Sequence, residues 1–256
     1  FDANPSGGND LGKLPEWDLS DLYPGTDAPE ITRDLNWLGQ ECSDFAKAYE
    51  GKLATLTASE LLEAVQRYEQ IDVIAGRIMS FAGLRYYQIT TDADRAKFMA
   101  DCQDKITSFT TPLVFYSLEF NRLDDEHLTG LLAANSDLAR YKPVFDRMRA
   151  MKPHQLSDEL EKFLHDQSTV GTAAWNRLFD ETMAGLTFDV DDETLSLEAT
   201  LNLLTEHDRS KREAATHALA QVFDANIKLF ARIHNTLAKE KEIEDRWRKM
   251  PTPQTG

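Results

Sequence analysis

The residues of this chain best suited to hold a metal, or to move a proton near neutral pH, are its six histidines: His127, His154, His165, His207, His217 and His234. A zinc hydrolase built on a helix needs His-Glu-x-x-His. That spacing sets two imidazoles on one face and a glutamate beside the bound water. No two of these histidines lie three or four apart, and none is followed by glutamate, so the spacing gives no local metal pair. Two acidic groups, Asp124-Asp125-Glu126 and Asp189 with Asp191, Asp192 and Glu193, have the residue types of a general acid and base. That chemistry requires a pocket that pulls two pKa values apart. At these positions they read instead as a helix start, where acids suit the dipole, and as a solvated turn. There is no Gly-x-Gly-x-x-Gly, no Walker loop and no Gly-x-Ser-x-Gly elbow, and Gly171–Trp175 has small residues without any such fingerprint. The dense charge from Lys239 to Lys249 reads as a solvated helix face. The residues alone therefore assign no catalytic, cofactor-binding or metal-binding position to this chain.

Composition narrows the partners. The formal net charge of -16 opposes binding to nucleic acid, whose affinity rests on Lys and Arg neutralising phosphates, and equally opposes an anionic membrane surface. No apolar run approaches transmembrane length. The start, FDANPSGGND, lacks the basic and apolar regions of a signal peptide. Cys42 and Cys102 fall at apolar positions of helical patterns and read as buried, reduced core residues, which points to the cytoplasm. The chain opens on Phe1 and stops at MPTPQTG just past a helical pattern, so it reads as a possible fragment.

The elements that would position any site are mostly helical. Residues 1–13 read as a flexible lead. In LPEWDLSDLYPG (14–25), Asp18 caps a short turn, and Trp17, Leu19, Leu22 and Tyr23 form an anchor for a surface supplied from elsewhere. Asp27 and Glu30 have capping-box spacing around Pro29, and Ile31, Leu35, Leu38, Cys42, Phe45 and Tyr49 then step by three and four. Thr57 and Glu60 begin a second such helix, with Leu61, Val65, Tyr68, Ile71, Ile74, Ile78 and Phe81 inward. A third begins near Thr91 or Asp92, and Pro112 predicts a break close to Thr110. Three long elements with short connections suggest an antiparallel bundle or an elongated coiled-coil hairpin. Shorter helices follow, with Leu160, Phe163 and Leu164 inward on one, and Trp175, Leu178, Phe179 and Met183 on one face of the next. LTFDVDDETLSLEA alternates as a hairpin over 186–198, with its turn at Asp191–Thr194. A last long helix starts near Ser210, with Glu213 three residues on. The fold class is mostly α: an antiparallel long-helix bundle over 14–120, shorter helices over 121–185, then one β-hairpin and a long C-terminal helix over 186–256.

Four stretches, in order, carry a resemblance. Pro15-Glu16-Trp17-Asp18-Leu19-Ser20-Asp21-Leu22-Tyr23 resembles the opening of oligoendopeptidase F-type zinc metallopeptidases, in the thimet oligopeptidase superfamily. AAWNRLFDETMAGLTF (173–188) is similar to that family's Trp-x-x-Leu-Phe-x-Glu segment before a hairpin, and HDRSKREAATHAL (207–219) resembles its Asp-Arg-x-x-Arg-x-x-Ala stretch. LFARIHNTLAKEKEIEDRWRKM (229–250) is similar to the helix leading into the catalytic half. The resemblance implies a largely helical peptidase with a deep channel that cleaves short peptides. It implies a zinc held by the two histidines of His-Glu-x-x-His and a downstream glutamate, all beyond the region matched here. On that reading the chain is the amino-terminal, channel-wall portion. Its partner is its own missing catalytic domain, which carries the zinc, and the chain by itself is inactive. The alternative reading is a free-standing helical interaction module; a weaker one is a different hydrolase assembled from scattered acids. A peptidase half should leave the hairpin and the last helix's face exposed, whereas an independent module should bury both.

Overall fold

The computed structural model describes residues 17–255; the flexible lead expected over 1–13 and the Pro15-Glu16 start of the first motif lie outside them. The expected stripe buries along the whole of α1 (Pro29–Tyr49): Ile31, Leu35, Leu38, Cys42, Phe45 and Tyr49 all face the core. The Asp27–Glu30 capping box does not form. Ala28 occupies the cap position with no side-chain bond, since that residue is itself buried in the core and Pro29, lacking an N–H, leaves one donor fewer to satisfy. In α2 (Ala58–Gln88) the box forms as read: the Glu60 N–H donates to Thr57 and the Thr57 N–H donates to Glu60. Asp92 caps α3 (Ala93–Thr110), which ends where Pro112 cannot continue it. A 3-10 turn over Thr111–Leu113 leads into α4 (Val114–Arg122).

α1, α2 and α3 pack as the antiparallel bundle. Phe45 is at its centre, 5.8 Å from the Tyr68 ring and 5.6 Å from Tyr116, while Tyr68 and Tyr116 stack at 4.3 Å. Glu119 of α4 accepts the Gly51 N–H at 2.6 Å, holding the α1–α2 connection where Gly51 takes φ +78.

The amino-terminal anchor is narrower than expected. Tyr23 is 1% exposed and Trp17 is 69% exposed. The Tyr23 hydroxyl donates to Asp34 at 2.8 Å, Arg77 stacks on its ring at 4.4 Å, and Arg77 also donates to the Leu22 carbonyl. Asp18 accepts the Ser20 N–H, and the turn it starts directs Leu19, Leu22 and Tyr23 toward the bundle while leaving Trp17 before the turn and outside.

Three short helices close one end: α5 (Asp125–Ala134), α6 (Ser136–Ala139) and α7 (Lys142–Ala150). Pro143 sits in the first turn of α7, and Arg149 near its end donates to the Phe120 and Leu123 carbonyls at the end of α4. α8 (Asp158–Gln167) and α9 (Thr172–Gly185) follow.

β1 (Phe188–Val190) and β2 (Glu193–Leu195) pair antiparallel, Phe188 opposite Leu195. The turn is two residues, Asp191-Asp192, with Asp191 at φ 54; Glu193 and Thr194, expected in the turn, lie in β2. Leu197 is not a strand residue either. Ser196 accepts the Ala199 N–H and starts α10 (Leu197–Leu203), a helix masked in the sequence by the Leu195-Leu197 alternation. α11 (Arg209–Arg248) is capped by Asp208 rather than Ser210, because the Asp208 carboxylate reaches the Ser210 N–H and leaves Ser210 inside the first turn. Phe188 and Val190 bury against Ala218 and Leu219 of α11. From there a chain of edge-on rings runs through Phe188, Phe223, Phe230 and Phe179, each 5.7–6.2 Å from the next, joining hairpin, α11 and α9.

Candidate functional site

α8 is docked by its polar side. His165 Nε2 lies 3.0 Å from the Thr110 hydroxyl, Asp166 accepts from Thr111, Asp158 pairs with Arg122, and Lys162 reaches Glu50 at 3.2 Å. Residues 158, 162, 165 and 166 share one helical face, so Leu160 and Phe163 turn away from the bundle. Sequence periodicity placed these two inward with Leu164. The structure leaves Phe163 60% exposed, Leu160 exposed and Leu164 half-buried, because the bundle surface offered to α8 is made of hydroxyls and charges. α9 shows the same departure: Leu178 and Phe179 remain exposed, and Phe179 meets the Phe230 ring edge-on.

The apolar side of α8 forms one wall of a groove of about 1160 Å³. The α8–α9 turn and the start of α9 form its floor, with Val170, Gly171 and Trp175. The carboxyl half of α11 forms the other wall, through Lys228, Arg232, Thr236, Lys239, Ile243 and Trp247, which recur on a three- and four-residue step, with Glu240 beside them. The segment 239–249, read as a solvated face, is therefore half groove wall. The signal was present in the spacing of Thr236, Lys239, Ile243 and Trp247, but charge density hid it. A Cβ on Gly171 would come within 2.6 Å of Glu240 Oε1, so glycine there lets the turn close against α11.

A clamp fixes one end of the groove. Arg248 donates to both Glu161 oxygens at 2.7 and 2.9 Å and to Glu244 at 2.7 Å, and the Arg248 carbonyl meets His154 Nδ1 at 2.9 Å. Burial pushes the Glu161 carboxyl up, but the Arg248 guanidinium and the Leu156 N–H outweigh it and hold the group below its ordinary value. The hydrogen bond to Glu161 raises Arg248 in turn.

On the bundle side of α8 a second cavity, about 450 Å³, gathers Thr110, Ser117, Glu161, His165, Glu240 and Arg248. Its acids and histidine are engaged with Arg248 and Thr110 or stand apart. Among the described residues, no group of three or more His, Cys, Asp or Glu side chains is placed to hold a metal ion. His127, His207, His217 and His234 lie scattered on the surface. Asp124 caps α5 by accepting the Glu126 and His127 N–H groups, Asp125 pairs with Arg149, and Asp191-Asp192 form the hairpin turn. Cys42 and Cys102 are buried free thiols, both pushed up to about 11 by burial. Among the described residues no helix is long and apolar enough to cross a membrane. Among the described residues the groove's lining presents no nucleophile joined to a base.

Comparison with known proteins gives this geometry a context. Residues 119–188 match the family described as Oligopeptidase F. Group B oligopeptidase PepB of Streptococcus agalactiae is 24% identical over 242 residues, covering 90% of this chain and 39% of that protein. Oligopeptidase PepF of Bacillus subtilis is 22% identical over 228 residues, covering 87% of this chain and 32% of that protein. The chain thus spans well under half the length of these curated relatives. The crystal structure of oligoendopeptidase-F from Enterococcus faecium shares the fold, with a TM-score of 0.79 at 21% identity over 88% of this chain and 46% of that one.

Proposed function

We propose that this chain is the amino-terminal part of an oligopeptidase F-type protein, as the match over residues 119–188 and the similarity to PepB and PepF support, and that it forms a wall of the peptide channel of a zinc endopeptidase acting on short peptides in the cytoplasm. The observation that carries the reading is the groove between α8 and α11, whose apolar side chains are turned outward although the apolar stripes of the bundle beside them are buried. Peptide binding is a use for such a surface; hydrolysis requires more. A zinc-bound water needs three protein ligands and a base, and the histidines of this chain do not fit that role. His165 is engaged with Thr110, His154 with the Arg248 carbonyl, and the remaining four are dispersed. On this reading the zinc and its ligands belong to a companion catalytic part, 14–120 is the long-helix region, 121–185 the short-helix region, and 186–256 the hairpin and connecting helix, with the groove lying between the last two. The buried free thiols support a reducing compartment.

Metal analysis of the purified chain, with a quenched-fluorescence peptide assay, tests this: neither stoichiometric zinc nor turnover is expected, and one tightly held zinc with turnover refutes it. A second reading, a free-standing helical interaction module, is favoured by one observation. The hairpin's inner residues Phe188 and Val190 are already buried by α11, as an independent module requires. The exposed Ile227, Ile243 and Trp247 on the same helix favour the first.

A further inference from the structure

We propose that the α8–α11 groove binds a short apolar peptide by both of its free ends, with the carboxylate at Lys228 and Arg232 and the amine at Glu240. The proposal deepens the reading of this surface as peptide-facing and rests on it. Its ground is the distribution of charge. The chain carries a net charge of -16, yet Lys228 and Arg232 stand one turn apart on the groove face of α11, exposed and without an ion pair among the described residues. Their neighbour Lys239 is held by Glu242 at 2.6 Å, and at the far end Arg248 neutralises Glu244 and Glu161. Glu240 is the one carboxylate lining this groove that makes no ion pair among the described residues. Two cations and one anion thus remain uncompensated along a single apolar trough, the cations toward one end.

Their separation sets the length of the occupant. Eight residues of helix from Arg232 to Glu240 advance about 12 Å, and an extended tetrapeptide spans about 13 Å. Between these ends Leu160, Phe163, Trp175 and Ile243 offer apolar surface for the peptide's side chains. A charged side chain within the peptide would meet none of these three groups in register, so the groove favours an apolar peptide with free termini over an end-blocked or internally charged one.

The test uses the 256-residue chain and the tetrapeptide Ala-Phe-Leu-Leu in equilibrium dialysis, with tryptophan emission from Trp175 and Trp247 as a second readout. Saturable binding is expected, weakened about 5-fold by C-terminal amidation. In the Lys228→Ala/Arg232→Ala double variant the free acid and the amide should bind equally. In Glu240→Gln the N-acetylated and free-amine peptides should bind equally. Lys228 and Arg232 are exposed and Glu240 is half-buried against Gly171, and unchanged circular dichroism shows that the variants fold. Absence of saturable binding overturns the proposal, as does an amidation penalty that survives in the double variant. If a longer form of the protein hydrolyses peptides although the groove variants bind like the parent, the channel-wall reading stands and this inference fails. If Phe163→Cys reacts with maleimide in the isolated chain but is shielded in the longer form, the groove is an internal joint, which also overturns it. Binding as described with no hydrolysis by a longer form refutes the channel-wall reading alone.

Discussion

In α1 the apolar residues from Ile31 to Tyr49 face a core of matching aromatic and aliphatic side chains, and the helix's charged side meets water. In α8 the arrangement is reversed: Asp158, Lys162, His165 and Asp166 meet the bundle, and Leu160 and Phe163 face an open trough. Both helices are amphipathic. What separates them is the surface each was offered. α1 meets α2 and α3 through Leu38, Phe45 and Ile78, whereas α8 meets the Pro112 break, where α3 stops and the hydroxyls of Thr110 and Thr111 become available. A proline that interrupts one helix thereby supplies the polar seat for another. The lesson is that an apolar stripe identifies a face that binds something apolar, and the neighbouring elements decide whether that something is the molecule's own core.

The comparison is broken most sharply by truncating one ring in each region. Phe45→Ala should cost about 3–5 kcal/mol in urea unfolding, as expected for a large side chain removed from a close-packed centre. Phe163→Ala should change stability by less than about 0.5 kcal/mol, as for an exposed position. Equal losses would show that the groove is closed in solution. The next effect lies in the Arg248–Glu161 clamp, which holds α11 to α8 by charge where α1 is held by packing. Glu161→Gln should cost about 1–2 kcal/mol at pH 7. Because Glu161 titrates below its ordinary value when folded, its contribution is present above the unfolded-state carboxylate pKa and disappears as the pH falls through the folded one. The stability difference between the parent and Glu161→Gln should therefore shrink on acidification below about pH 4.5; a difference independent of pH would show that the pair contributes nothing as a charge pair. The smallest effect is at the amino end. Tyr23→Phe removes the bond to Asp34 and should cost about 1 kcal/mol, while Trp17→Ala should leave the thermal midpoint unchanged. A larger loss from Trp17 would mean that the exposed indole has a partner in solution.

Much of the bundle was legible from residue spacing. Leu38, Phe45, Leu61 and Ile78 are buried where the three-and-four step places them, the Thr57–Glu60 box forms, and the break falls at Pro112, because each of these is set within one or two turns of chain. Legibility fails where the deciding partner is distant. The orientation of α8 depends on Glu50, Thr110 and Arg122, which precede it by 36 to 112 positions, and no local pattern carries that information. Leu197 alternates like a strand residue, but Ser196 offers a cap and the chain turns helical. Trp17 looked as apolar as Tyr23. Only Tyr23 has a hydroxyl to satisfy Asp34 and a ring for Arg77 to stack upon, and both partners lie on other elements. The groove inherits this difficulty, since it exists only once α8 has docked by its polar face.

The way α11 is fastened has a mechanical consequence. Over Arg209–Phe230 it is gripped by the hairpin, α10 and the Phe179 ring, and at Arg248 it is tied to α8. Between those fixings about 27 Å of rod crosses the trough with Ile233 as its one fully buried residue. A beam propped near midspan as well as at its ends resists bowing, so the trough's width is set there by how closely the Gly171 turn approaches Glu240.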